Sequence, residues 1–237
     1  MGLVLGTGTN LAADLGPAGI RNLESGNFDG VVAIETPYDA ALDRALTDPD
    51  PGAQRFEKMV SGQYLGELLR RVVEDLARGT SMFSGAAAPF RGAAAPAFAT
   101  PFGLDSAHLS GIAADETPDG ADIAVRLRDL GVASDEADRR ALRGLARAIG
   151  RRAARLVATG LLGTLRFLDP ELGDRRTIAV DGSLWDGYPG FEGLVAETLA
   201  ELIGAERAAR IEMVFVKDST SAGVAVIAAV AAEQRSA

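Results

Sequence analysis

The sequence predicts an α/β fold, and three observations carry that prediction. The apolar stretches Leu3–Leu5, "RTIAVDGSLW" and "IEMVFVKD" each read as a strand that breaks into a turn of glycine and small hydroxyl residues. Helical periodicity lies between them: Phe56, Met59, Val60, Leu65, Leu68, Leu69, Val72, Val73 and Leu76 recur at the spacing of one helix face. No repeat of the solenoid kind interrupts this alternation, which is the pattern of strands covered by helices.

The elements follow in order. Leu3–Leu5 is a short buried strand feeding the loop Gly6-Thr7-Gly8-Thr9-Asn10. "FDGVVAIE", Phe28–Glu35, reads as a second strand because of its β-branched residues. Pro51 and Gly52 mark the entry to a helix running from Gln54 past Leu76. Residues 79–103 are rich in Ala, Gly and Pro and read as an extended surface connection ending at "DSAHLSGI". A small helix is expected over Ala121–Leu130. A long Ala/Leu/Arg helix is expected over Ala137–Phe167, capped by Ser134. A strand then turns at Asp181-Gly182-Ser183, and a helix runs from about Phe191 to Ile203. The strand Ile211–Asp218 leads through "STSAG" to a last helix from about Gly223 to Gln234.

Composition narrows the function. The 237 residues suffice for one large domain or two small ones, and 47% of them are hydrophobic, enough for a sizeable core. Without cysteine there is neither a disulfide framework nor a thiolate nucleophile, and with His108 as the single histidine a Ser-His-Asp triad and a histidine zinc site are poorly supplied. A formal net charge of −9 and a pI near 4.7 argue against nucleic acid and anionic membranes as partners. No apolar run approaches the roughly 20 residues of a membrane span, and no signal peptide is visible, so a cytoplasmic protein is expected.

Several turns carry candidate chemistry. The Gly6–Asn10 loop exposes backbone N–H groups and threonine hydroxyls suited to phosphate oxygens, or it is a tight β-turn. It matches neither the Walker A nor the dinucleotide pattern. Glu24, among Asn22, Ser25, Gly26 and Asn27, is either an acceptor for sugar hydroxyls or an exposed turn glutamate. Glu57 sits at the edge of its helix's apolar stripe, as a site residue or a surface ion-pair partner. Asp181-Gly182-Ser183 is a phosphate or adenosine turn or a strand-ending Asx turn. "KDSTSAG" places donors at a helix start, for an anion or as a plain cap. Arg139, Arg143, Arg147, Arg151 and Arg155, spaced at i,i+4, read as a solvated helix face. His108 reads as packed or superficial, and Trp185 as cover for the Asp181 turn.

The order of these motifs is more specific than any one of them. "LVLGTGTN", "NLESGNFD", "YDAALD", "PGAQRFEKMVSGQYLGELLR", "LDSAHLSGI", "VDGSLWDGYPGF" and "STSAGVAVIAAVA" together resemble the large C-terminal domain of hexokinases and glucokinases, over essentially residues 1–237. The resemblance implies a ribonuclease-H-like, actin-type ATPase lobe with added helices. It implies that a hexose, glucose or another, and ATP with Mg²⁺ are the ligands. Gly6, Thr7, Gly8 and Thr9 would hold nucleotide phosphates, and Asn10 would reach the sugar. Asn22 and Glu24 match the family's N-x-E-x-G motif and Glu57 its E-K-M-x-S-G motif, both carboxylates binding sugar hydroxyls. Ser106 would lie near the adenosine, with Asp181, Gly182, Ser183, Thr220 and Gly223 completing the nucleotide site.

The departures are informative. The family turn D-G-S-G-x-G is here Asp218-Ser219-Thr220-Ser221-Ala222-Gly223, and Tyr188 stands where many relatives have histidine. Neither the first phosphate loop, D-x-G-G-T-N, nor the N-D-T motif with the catalytic aspartate occurs in these residues. The expectation is a half-enzyme without its base, assigned no catalytic and no metal-ligating residue. It would pair with a separate small-lobe chain or with itself. The alternative is a non-catalytic sugar- or nucleotide-binding homologue or scaffold.

Overall fold

The structure is a computed structural model describing residues 1–79, 96–219 and 223. At its centre is a five-stranded sheet of β1 (Gly2–Leu5), β2 (Thr9–Asp14), β3 (Ile20–Asn22), β4 (Arg176–Asp181) and β5 (Ile211–Phe215), in the order β3-β2-β1-β4-β5. β1 pairs antiparallel with β2, as β2 does with β3, while β1–β4 and β4–β5 are parallel. One face is apolar and buried: Leu3, Leu5, Thr9, Leu11, Ala13, Ile178 and Val180 point the same way by the two-residue strand period. The helices are α1 (Pro37–Ala45), α2 (Arg55–Val60), α3 (Gly62–Gly79), α4 (Pro96–Ala99), α5 (Ser106–Ala113), α6 (Ala121–Asp129), α7 (Glu136–Leu168), α8 (Ser183–Gly187), α9 (Phe191–Ile203) and α10 (Ala205–Ala208). The long α7 packs against α9, α5, α3 and α2, and α8 leans on β1.

The structure corrects several boundaries. Gly6–Asn10 is not one loop: Thr9 and Asn10 already belong to β2, and the Gly6 N–H closes a tight hairpin onto the Gly8 carbonyl at 2.9 Å. Phe28–Glu35 is not a strand. Gly30–Ile34 forms a 3₁₀ turn, with the Val32 N–H donating to the Asp29 carbonyl. Only Val31 of this segment is buried, so it has no apolar face to offer a sheet. The helix expected from Gln54 breaks at Ser61, whose backbone is extended. That break frees the first N–H groups of α3, which lack intrahelical partners, to bind the hairpin: Gly62 N–H donates to the Gly6 carbonyl at 2.7 Å and Gln63 N–H to the Thr7 carbonyl at 3.2 Å.

Asp135 rather than Ser134 caps α7, through a reciprocal pair with Asp138. Strand β5 ends at Phe215 rather than Asp218. Within the expected surface connection, Pro96–Ala99 is helical and Phe98 is buried, while residues 80–95 lie outside the described residues. So do Thr220 and the expected last helix beyond Gly223.

The arginine row of α7 is solvated at Arg147, Arg151 and Arg155, as expected, but it also works as a clamp, with Arg139 and Arg143 half-buried. Arg139 donates to the Asp119 and Ser134 carbonyls, Arg143 to those of Asp115 and Thr117, and Arg147 to those of Ala113 and Asp115. Arg151 and Arg155 pair with Glu197 and Glu201 of α9. Guanidiniums thus tie the ends of α5, the loop before α6 and α9 to one helix. His108 is consumed locally: Asp105 accepts its backbone N–H at 2.8 Å and its ring nitrogen lies 2.6 Å from the same carboxylate.

Candidate functional site

The hairpin between β1 and β2 is the hub of the site. On one side stands Glu57, in the first turn of α2, whose Oε2 accepts the Thr9 N–H at 2.8 Å. The approach requires glycines. A Cβ on Gly8 would lie 2.7 Å from Glu57 Oε2, and one on Gly26 would lie 3.3 Å from Glu57 Cβ.

The same hairpin positions Asn10. Its Oδ1 accepts the N–H groups of Leu11 at 2.8 Å and Ser25 at 3.1 Å, and its Nδ2 donates to Asn22 Oδ1 at 2.5 Å. Asn22 Nδ2 in turn donates to Glu24 Oε1 at 2.5 Å. Glu24 lies in the left-handed region (φ 47°), which turns the chain sharply enough to bring its carboxylate back to Asn22. Asn10, Asn22, Glu24 and Glu57 therefore share one neighbourhood. Asn22 and Glu24 are exposed and Asn10 and Glu57 half-buried, an arrangement of acceptors and amides open to a polyhydroxylated ligand.

The other side of the hairpin faces a cavity of about 280 Å³ lined by Thr7, Gly62, Gln63, Phe102, Leu104, Asp105, Ser106 and Ser183. Two glycines bring the turns after β1 and β4 into contact. Gly182 has φ 128°, and a Cβ there would lie 2.2 Å from the Leu5 carbonyl oxygen. A Cβ on Gly6 would lie 3.3 Å from Ser183 N. Parallel strands ending side by side at a crevice are where open α/β sheets hold ligands. Burial pushes the Asp105 carboxyl up, but the His108 N–H and ring outweigh it and hold it below the ordinary aspartate range.

The remaining sequence candidates fall differently. Asp181 does not line the cavity; its Oδ2 accepts the Ser219 N–H at 2.8 Å and hydroxyl at 2.7 Å, fixing the chain after β5. Gly182 serves by its backbone. Gly223 is exposed, and Thr220 lies outside the described residues. Trp185 is buried, its ring 5.8 Å from that of Phe191. Tyr188 is buried and reaches the Ala146 carbonyl at 3.3 Å. A larger apolar cavity of about 590 Å³, between Phe28, Phe56 and Phe167, holds none of the candidates. Among the described residues no three His, Asp or Glu side chains gather as a metal site. Sequence reasoning missed Glu67 and Arg70 of α3, which look like a surface i,i+3 pair but are buried beneath the Phe102–Ser106 wall.

A mixed sheet with an antiparallel hairpin on one side of β1 and parallel strands on the other, its turns meeting over a glycine-floored crevice, is the α/β lobe of the actin-type ATPase fold. The chain belongs to the hexokinase family: the family model described as Hexokinase matches residues 1–230. Hexokinase-2 of Oryza sativa subsp. japonica is 34% identical over 255 residues, covering 99% of this chain and 50% of that protein. Glucokinase of Aspergillus niger is 36% identical over 228 residues, covering 91% and 45%. A hexokinase crystal structure superposes with a TM-score of 0.72 at 28% identity, over 91% of this chain and 46% of its own. The fold is shared with a Schistosoma mansoni hexokinase solved with glucose, at TM-score 0.75 and 24% identity, over 90% and 49%. The chain spans about half the length of the curated relatives it matches.

Proposed function

We propose that this chain is the large domain of an ATP-dependent hexose kinase, over residues 1–237, holding hexose on Asn10, Asn22, Glu24 and Glu57 and Mg·ATP in the crevice beside Thr7. One observation carries this reading. The hairpin that anchors Glu57 and Asn10 on one side forms, through Thr7, the wall of the 280 Å³ cavity on the other. Two ligands bound on either side of one tight turn have their reacting ends within its span, which is the positioning that phosphoryl transfer needs.

The four polar side chains accept from and donate to sugar hydroxyls and so orient the sugar's 6-hydroxyl. Thr7, Ser106 and Ser183 offer hydroxyls toward nucleotide oxygens, and the backbone around Gly6–Gly8 approaches closely because it carries no Cβ. The Mg²⁺ arrives with ATP and offsets phosphate charge. A hydroxyl needs a base to lose its proton as it attacks phosphorus. None of the residues assigned here is that base; in this reading it comes from the small lobe of the family. The proposed setting is the cytoplasm; no helix among the described residues is long and apolar enough to cross a membrane.

Titration calorimetry and a coupled phosphorylation assay test this. The purified chain is expected to bind glucose and Mg·ATP weakly and to show no appreciable turnover until a small-lobe chain is added. Robust turnover by the chain alone, or silence toward both ligands, contradicts it. A second reading, a sugar-binding regulator without catalysis, is favoured by Ser219, which occupies Asp181 where the family turn has glycine. Failure of any small-lobe chain to restore turnover while glucose still binds selects that reading.

A further inference from the structure

Helix α3 carries both walls of the nucleotide crevice. Its first N–H groups hold the carbonyls of Gly6 and Thr7, and Gly62 lies so close that a Cβ there would be 2.8 Å from the Gly6 carbonyl oxygen and 3.3 Å from Ser106 Oγ. One turn further on, Gly66 admits the opposite wall, since a Cβ there would lie 2.4 Å from the Leu104 and Asp105 carbonyl oxygens. Next along the helix comes a buried ion pair. Glu67, with no exposed surface, accepts Arg70 Nε at 2.6 Å and Nη2 at 2.8 Å. The same carboxylate accepts the Phe102 N–H at 2.7 Å, and Arg70 Nη1 donates to the Phe98 carbonyl at 2.8 Å. Carboxylate and guanidinium together pin two backbone points of the segment that runs into Leu104, Asp105 and Ser106. A surface helix pair would not be desolvated in this way; removing charges from water is costly and is offset here by bonds to that segment and, within α3, by Arg71 on Glu67 at 2.8 Å and Glu74 on Arg70 at 2.9 Å.

We propose that Glu67 and Arg70 are positioning residues for the nucleotide: they set the distance between the Thr7 and Ser106 walls without touching the ligand. The proposal rests on the nucleotide reading above and assigns its affinity to a buried pair outside the crevice. Glu67→Gln keeps an acceptor for Phe102 but weakens the hold on Arg70. Arg70→Lys keeps a charge beside Glu67 but loses the fork that reaches Phe98, and it serves if the first variant fails to fold.

Two readouts decide. In hydrogen exchange, both variants are expected to speed exchange of the amides of 102–106 while leaving Gly62 and Gln63 protected. In calorimetry, Mg·ATP affinity is expected to fall about tenfold while glucose affinity changes by less than about twofold. Unchanged exchange over 102–106 overturns the proposal even if the wild-type chain binds no nucleotide, a result that would sink the nucleotide reading separately. Equal loss of glucose and nucleotide affinity also overturns it, since that is what general destabilisation does.

Discussion

Replacing Gly8 by alanine moves the Glu57 carboxylate without displacing main chain. Gly8 does not occupy the left-handed region, so alanine fits its backbone, and the new Cβ meets the end of a flexible side chain rather than main chain. Its separation of 2.7 Å from Glu57 Oε2 is well inside contact distance, so the carboxylate must retreat by about 0.7 Å. That retreat takes Oε2 off the Thr9 N–H and away from a sugar hydroxyl bound at its present place. A hydrogen bond to a charged group is worth about 1.5–3 kcal/mol, so glucose should bind roughly ten- to a hundredfold more weakly. The folded chain loses the same Thr9 bond, so its stability should fall by about 1.5–3 kcal/mol and its melting temperature by roughly 3–12 °C, with the backbone left in place. Calorimetric titration with glucose, beside a thermal melt, reads both. Undiminished glucose affinity in Gly8→Ala would refute the placement of Glu57 against the sugar.

Other expectations follow from the same contacts. Gly66→Ala, whose Cβ meets backbone at 2.4 Å, should destabilise by about 1–3 kcal/mol or more in urea unfolding and, unlike Gly8→Ala, displace main chain. Arg152 binds Asp39 through two bonds of 2.9 and 2.8 Å, and Asp39 is buried as the partner of the Thr36 cap, so Arg152→Ala should cost about 1–3 kcal/mol by the same measurement. Burial pushes the Glu67 carboxyl up, but the Arg70 hydrogen bonds, the Phe102 N–H and the charges of Arg70 and Arg71 outweigh it and hold it below the ordinary glutamate range. Burial likewise opposes, and the Thr117 hydroxyl, the N–H groups of Ile123 and Thr117 and the Arg143 charge outweigh, at Asp115. Both groups therefore add stability that is complete above the ordinary carboxylate range and is lost as pH falls through their depressed folded values. Unfolding midpoints measured from neutral pH downward should drop steeply in acid, and Asp115→Asn should flatten that drop.

Much of this molecule is written in its periodicities. α9 is found where its apolar residues place it, because Val195, Leu199 and Ile203 recur on one face. β2 is harder: Thr9, Leu11 and Ala13 do alternate with less buried neighbours, but glycine, threonine and asparagine so resemble a loop that the strand signal is masked. β3 has three exposed residues and no buried face, so nothing in its sequence marks it. The β-branched run at Val31–Val32 points to a strand, and tertiary placement overrides it, since only Val31 finds a core to enter.

The site splits the same way. Asn10, Asn22, Glu24 and Glu57 are picked out by the family's motif order alone, since by residue type the two glutamates read as ordinary turn and helix residues; the structure places all four around one hairpin. The clamp roles of Arg139, Arg143 and Arg147 escape sequence reading because their partners are carbonyls, which every residue has. Glu67 and Arg70 escape it because i,i+3 charge pairs are ordinary on exposed helices; the flanking Leu65, Leu68 and Leu69, all buried, are the trace of their burial.

Backbone-amide NMR titration of the labelled chain, first with glucose and then with Mg·ATP, locates both ligands against the β1–β2 hairpin. Glucose should shift the amides of Thr9, Leu11, Ser25 and Glu57, and Mg·ATP those of Thr7, Gly62, Ser106 and Ser183, with the two sets meeting at the hairpin. Glucose-induced shifts confined to some other surface, or no shift at saturating glucose, would contradict the account.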